Sequence, residues 1–174
     1  IKETAHNFKN NLFIKRIKYH KKENTLEKYK ELIFYPVKIE DISYLLDLRK
    51  RTMNEHLKNE NMPTDDKSHL KRIKYHFENG FIVFNGEKRV GFLKYVYEER
   101  KIYLVQVQVE PTYQGKGFGN EILQFLVDKS DKLKFGMHLE VLKKNPARKL
   151  YEKFGFKITG EDESSYEMNR EVKI

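Results

Sequence analysis

One stretch, from Lys101 to Lys132, constrains the fold of this chain more than any other. Its first part, Lys101-Ile-Tyr-Leu-Val-Gln-Val-Gln-Val109, is β-branched and apolar. It alternates at its end, with Val105, Val107 and Val109 set against Gln106 and Gln108, which predicts a strand. Its last part places Ile122, Leu123, Leu126 and Val127 at helical spacing, with Leu133 in register beyond, which predicts an amphipathic helix. Between them lie the turn Glu110-Pro111-Thr112-Tyr113 and the run Gln114-Gly-Lys-Gly-Phe-Gly119. A strand must therefore pass into a helix through a turn with glycines at 115, 117 and 119.

The physics of such a junction is anion binding. The first four N–H groups of a helix have no acceptor inside it, and the aligned peptide dipoles add about half a positive charge there. Glycines let a phosphate approach the backbone and tolerate positive φ. Lys116 adds a mobile charge, and the alternative is a tight glycine turn with no guest. A Walker loop is excluded, because Gly115-Lys116 is followed by Gly117 and not by Ser or Thr. The dinucleotide fingerprint fails at its third glycine, where Asn120 stands.

The segment resembles motif A of the GNAT superfamily of N-acetyltransferases, Gln/Arg-x-x-Gly-x-Gly/Ala, with Gln114, Gly117 and Gly119 in the signature positions. A second match lies downstream in Leu139-Glu-Val-Leu-Lys-Lys-Asn-Pro-Ala-Arg-Lys-Leu-Tyr-Glu-Lys-Phe-Gly-Phe156. It is similar to the family's strand, Asn-containing turn and Leu-Tyr-Glu-Lys-x-Gly-Phe helix. Two motifs in the family's order are far more specific than either alone. The resemblance spans roughly residues 33–170.

An apolar share of 39% and an aromatic share of 13% mark a folded chain despite a mean hydropathy of −0.80. Its 174 residues favour one domain. No apolar run exceeds four residues, so no membrane span or secretory segment is expected within the chain. Cysteine is absent, which excludes disulfides, a thiolate nucleophile and thiolate metal sites and accords with a cytoplasmic location. The six histidines are scattered with no His-x-x-x-His pair, and no metal is expected. Residues 1–31 carry nine Lys and Arg against four Glu, more than half of the net charge of +9. They are expected to form a basic extension, with Phe8, Leu12, Phe13, Ile17 and Tyr19 packing on the domain or on a second copy in a homodimer. The repeat of Lys15–His20 at Lys71–His76 has no matching flanks and is not read as a duplicated module.

From residue 32 the pattern predicts an alternating α/β domain over 32–174. A strand at 32–39 leads to a helix capped by Asp41 and running to about Leu57, with Leu45, Leu46, Leu48 and Met53 inward. A loop around Pro63 precedes a second helix capped by Asp65 or Asp66 and ended by Asn79-Gly80, with Leu70, Ile73 and Phe77 inward. Phe81–Phe84, the Asn85-Gly86 turn and Arg89–Tyr97 form a hairpin that continues into the 101–109 strand. After the central helix come a strand at 137–142, a helix opened by Asn145-Pro146 and closed by Gly155, and strands from Phe156 and from Tyr166. Pattern and resemblance together predict the mixed α/β GNAT fold, a sheet of about six to seven strands flanked by about four helices.

The resemblance implies acetyl-CoA as cosubstrate. Its diphosphate would meet backbone donors of Gln114, Gly115, Lys116, Gly117, Phe118, Gly119 and Asn120. Its pantetheine would lie beside the main chain of Val107, Gln108 and Val109, where a backbone N–H also faces the acetyl oxygen. Asn145 would bond the pantetheine or a nearby backbone, or would simply cap its helix. Tyr151 matches the family's proton donor to the leaving thiolate, against a plain packing role. For the base, the 102–109 strand holds no carboxylate; Glu140 on the next strand is one candidate, a water relay or an already neutral amine another, and Glu110 is expected to face solvent. Arg49, Met53, His56 and the 59–64 loop are placed by fold position at the acceptor pocket. The acceptor is expected to be a primary amine of a small molecule or a protein. Two other classes stand beside the enzyme: a catalytically silent acetyl-CoA sensor, and a basic nucleic-acid-binding domain that leaves both motifs unexplained.

Overall fold

A computed structural model describes residues 25–172. The expectations for Phe8–Tyr19 and for the first copy of the Lys-Arg-Ile-Lys-Tyr-His repeat lie outside the described residues. Eight strands form one mixed sheet: β1 (Glu27–Tyr29), β2 (Leu32–Pro36), β3 (Gly80–Asn85), β4 (Lys88–Glu98), β5 (Lys101–Val109), β6 (Gly136–Leu142), β7 (Lys157–Glu161) and β8 (Ser165–Arg170). Their spatial order is β1-β2-β3-β4-β5-β6-β8-β7. All neighbours pair antiparallel except β5 and β6, whose crossover contains a helix, as a parallel connection requires. The helices are α1 (Ile42–Asn59), α2 (Asp66–Lys74), α3 (Phe118–Leu133) and α4 (Arg148–Lys153).

Both faces of the sheet are covered. On one, the apolar stripe of α3 (Ile122, Leu123, Phe125, Leu126, Val127) packs on Phe34, Tyr95, Leu104, Leu139 and Met168, with Tyr151 of α4 in the same cluster. Phe125 stacks on Phe34 with ring centroids 4.3 Å apart. Each such side chain contributes about 1.5–3 kcal/mol by leaving water. On the other face, Leu45 and Leu48 of α1 and Ile73 of α2 pack on Ile82 and Phe92. Because both faces are buried, β4 reads as an almost unbroken apolar run.

Four boundaries differ from expectation, each for a local reason. The β1 strand was not expected; three residues, Glu-Lys-Tyr, carry too short a pattern, and β1 forms by pairing with β2. Strand β2 stops at Pro36, and a 3₁₀ turn at Ile39–Asp41 precedes α1. Helix α2 takes its N-cap from Asp65, whose carboxylate accepts from the Ser68 N–H at 2.9 Å, but it ends at Lys74. There Tyr75 turns extended and His76 enters the left-handed region at φ 51°, well before Asn79-Gly80. Regular α4 starts at Arg148, after a turn through Asn145 and Pro146. Among the described residues no helix is long and apolar enough to cross a membrane.

Candidate active site

The site arises where the sheet opens. Strands β5 and β6 pair from Lys101 and Gly136 only as far as Leu104 and Leu139. Beyond that, β6 follows β8 to Leu142, while β5 follows β4 to Val109. The two strands part, leaving the β6-facing edge of residues 105–109 with no strand partner among the described residues. A bulge lies at the fork: Tyr95 faces Leu104 and Lys94 faces Gln106, so Val105 is an extra residue in β5. Its carbonyl accepts from Arg72 Nη2 at 2.7 Å instead of from a strand. The parting forms a cleft of about 250 Å³, lined among others by Leu104–Gln108, Leu139–Leu142, Asn145 and Tyr151.

At the end of β5 the chain turns into α3 through the glycines. Gly115 and Gly117 have φ of +73° and +91°, and a Cβ at either would meet nothing within 4 Å. Both glycines therefore serve backbone shape and open space. Gly117 is the N-cap of α3, and the first helical bond is Glu121 N–H to the Gly117 carbonyl at 3.0 Å. The amides of Phe118, Gly119 and Asn120 thus stand ahead of the ladder. Residues 114–117 and Asn120 are exposed, so among the described residues no side chain seals this helix mouth. Gly119 fits against Val109 and Leu150, whose nearest atoms would lie 3.8 and 3.6 Å from an added Cβ. The Gln114 side-chain amide donates to the Val109 carbonyl at 3.1 Å and ties the loop to β5. Lys116 Nζ lies 5.4 Å from the Tyr113 ring centroid, beside the mouth. Exposed amides, open glycines and an unpaired strand edge fit a diphosphate joined to an amide-bearing arm.

Tyr151 projects from α4 into the cleft and is 7% exposed. Burial pushes its phenol up to about 12, so it stays protonated throughout the neutral range. Asn145 lines the cleft too, and its Oδ1 accepts from the Ala147 N–H at 2.9 Å, so it caps the turn into α4. Glu140 lines the cleft from β6 and is exposed. Glu110 does not face solvent freely, contrary to expectation. It accepts from Arg51 Nη1 at 2.6 Å and from the Tyr44 hydroxyl at 2.9 Å, joining α1 to the end of β5. The Arg51 hydrogen bond, with that from Tyr44, holds its pKa below the usual carboxylate range.

Helices α1 and α2 wall the opposite side. Arg49 and Met53 line the cleft, together with Leu57, Met62 and Arg72, while His56 lies outside the lining. Arg49 sits among the inward residues of α1 beside Leu45 and Leu48, where the periodicity of the helix predicts a hydrophobe. Gln106 and Gln108 point into the same region, Gln106 Nε2 donating to Gln108 Oε1 at 3.0 Å. Nearby Lys94, fully buried, donates to the carbonyls of Arg72, Ile73 and Tyr75 at 2.7–3.1 Å. Burial, with Arg72 and Arg49 close by, draws its pKa down to about 7, while three carbonyls at the carboxyl end of α2 favour the charged form.

The side chains of Arg72, Gln106, Gln108 and Lys94 were not singled out as functional in the sequence. The two glutamines and the lysine carried a signal, as polar residues inside apolar strands. Arg72 carried none, being one base among many on α2. No group of three or more His, Asp or Glu among the described residues is placed to hold a metal ion.

Residues 77–158 match the family model of the acetyltransferase (GNAT) domain. Among solved structures, the chain is similar to the ribosomal-protein-S18-alanine N-acetyltransferase of Escherichia coli, at 19% identity and TM-score 0.62, over 82% of this chain and 95% of that one. It is also similar to the PaiA N-acetyltransferase of Thermoplasma acidophilum, solved with coenzyme A, at 18% identity and TM-score 0.64, over 81% and 99%. The spermidine/spermine N-acetyltransferase SpeG of Vibrio cholerae matches at 20% identity and TM-score 0.58, over 81% and 94%. At these identities the likeness to the solved structures is one of fold. A search of curated proteins by sequence finds no match.

Proposed function

We propose that this chain is a GNAT-type N-acetyltransferase, the domain whose family model matches residues 77–158, and that it transfers the acetyl group of acetyl-CoA to a primary amine by direct attack. The observation that carries the reading is the parting of β5 from β6, with an open helix mouth at one end and a buried phenol inside it. The amides of residues 114–120 hold the diphosphate. The free edge of Val107, Gln108 and Val109 receives the amides of the pantetheine arm.

Acetyl-CoA supplies the thioester, whose C–S bond breaks as the new N–C bond forms. Bringing both reactants into one cleft removes much of the entropic barrier. Tyr151 gives a proton to the departing sulfur, for which its raised pKa keeps it loaded. Glu140, or a water at the rim, takes the proton released by the amine. No residue needs to bond covalently to the acetyl group. Residues 32–174 form the catalytic unit in this reading, and residues 1–31 are a basic extension upon it, of which Glu27–Tyr29 joins the sheet edge.

The test has two stages. Acetyl-CoA is expected to raise the melting temperature of the purified chain, whereas ATP and NAD are not. CoA release is then followed against a panel of primary amines, with Tyr151→Phe in parallel. Binding without release for any amine would favour a silent sensor, and no shift with acetyl-CoA would end the acetyltransferase reading.

A further inference from the structure

Two guanidiniums in the cleft lack a counter-charge. Arg49 is 9% exposed, and its buried Nε has no hydrogen-bond partner. Neither Arg49 nor Arg72 enters an ion pair among the described residues. A cation withdrawn from water is costly unless something compensates it, and here the second cation makes matters worse. Burial and the proximity of Arg72 lower the pKa of Arg49 to about 10, which leaves it charged at neutral pH.

The floor beside these groups is also unfinished. Gln106 and Gln108 are 7% and 5% exposed. After their mutual bond, the Oε1 of Gln106 and the Nε2 of Gln108 have no partner. Arg72 is held in place by its bond to the bulge carbonyl of Val105. None of residues 114–120 contributes to the cleft lining, so these guanidiniums are separate from the helix mouth. The carboxylate in the lining, Glu140, comes from the far strand and pairs with neither arginine.

We propose that the acceptor is a small amine that itself carries a carboxylate, an amino acid in size and chemistry, with that carboxylate held by Arg49 and Arg72. The inference rests on the acetyl-transfer reading and narrows it to a substrate class. The guanidinium fork matches a carboxylate in two hydrogen bonds, and the free amide N–H of Gln108 supplies a third donor. The amino group then points across the fork toward Glu140 on β6. A polyamine brings positive charge to two arginines and is disfavoured.

The experiment compares, on the full chain with acetyl-CoA, free L-amino acids, their carboxamides, the amines that lack the carboxylate, spermidine and an alanine-initiated peptide amide. The free acids are expected to exceed their carboxamides by roughly ten-fold or more in kcat/KM, the worth of a charged hydrogen bond. Arg49→Met is expected to raise KM for the acid by a similar factor and erase the preference over the amide, with Arg49→Lys restoring part of it. Arg72→Met serves as the second variant, and the acetyl-CoA melting shift reports whether each variant is folded. Equal or better use of carboxamides, spermidine or the peptide overturns the inference, as does an acid preference that survives both substitutions. Transfer that proceeds without acid preference sinks this inference alone. If no amine is acetylated but amino acids still stabilise the CoA-loaded protein and carboxamides do not, the pocket stands and the transfer reading falls.

Discussion

Single residues carry two expectations with clear signs. Tyr151 is displaced upward to about 12, so its protonated form prevails below that value and is lost only as pH rises through it. Two units below its pKa a phenol is about 99% protonated. The kcat profile should therefore show no alkaline fall due to this group up to pH about 10, and should rise wherever the amine must lose its proton. Tyr151→Phe should lower kcat by about 10²-fold or more with a small change in melting temperature, in line with the usual worth of a general acid. Wild-type turnover by the variant would reduce Tyr151 to packing. Gly91 is constrained differently, since an added Cβ would stand 2.3 Å from the Gln108 carbonyl oxygen. Gly91→Ala must push β4 off β5 at the strand that floors the cleft. A loss of about 1–3 kcal/mol is expected by urea unfolding, together with weaker acetyl-CoA binding.

Among elements, the last strand is fastened to the central helix through one buried arginine. Arg170 of β8 is 3% exposed and donates to both Asp131 oxygens at 2.9 and 3.0 Å and to the Phe154 carbonyl at 3.0 Å. It thereby joins β8, α3 and the end of α4. Asp131→Ala strands the guanidinium and should cost about 2–4 kcal/mol, near the low end for a buried pair because Asp131 is partly exposed. Denaturant titration checks this, and a loss below about 0.5 kcal/mol, the range of ordinary surface changes, would show that the Phe154 carbonyl and the Ser130 hydroxyl, which accepts from Arg170 Nη1 at 3.4 Å, suffice. The carboxyl end of α2 is anchored in a similar way by Lys94, a charged side chain reaching main-chain acceptors across layers.

For the molecule as a whole, what was legible in the sequence was local. The order of strands and helices from Leu32 onward, the Gly86 turn, the Gly155 helix stop and the strand–glycine–helix junction all depend on neighbours a few residues apart. The resemblance laid the pantetheine along the main chain of Val107–Val109, but no residue pattern announced that β5 and β6 stop pairing at Leu104 and Leu139. The bulge at Val105 was not legible, because it is set by register against β4, more than five residues away along the chain. Burial of Arg49 was hidden for the same reason: its helix alone predicts an inward hydrophobe there, and only α2 and β5 together make a polar wall. Residues 77–158 hold the family match, whereas α1, which supplies Arg49 and Met53, lies outside it. The half of the cleft proposed to choose the acceptor was thus the half least readable from motifs.

The helix mouth and the open edge of β5 have a consequence for turnover. In the proposed acetyl-transfer reading, both address portions of the coenzyme that are unchanged once its acyl load is gone. The spent thiol should therefore dissociate hardly more readily than the charged thioester, and should compete with it. Throughput would then track the ratio of the two forms around the protein, making the supply of activated acetate its throttle. Inhibition by CoA is expected to be competitive against acetyl-CoA, with an inhibition constant within about ten-fold of the acetyl-CoA dissociation constant, a gap of about 1.4 kcal/mol.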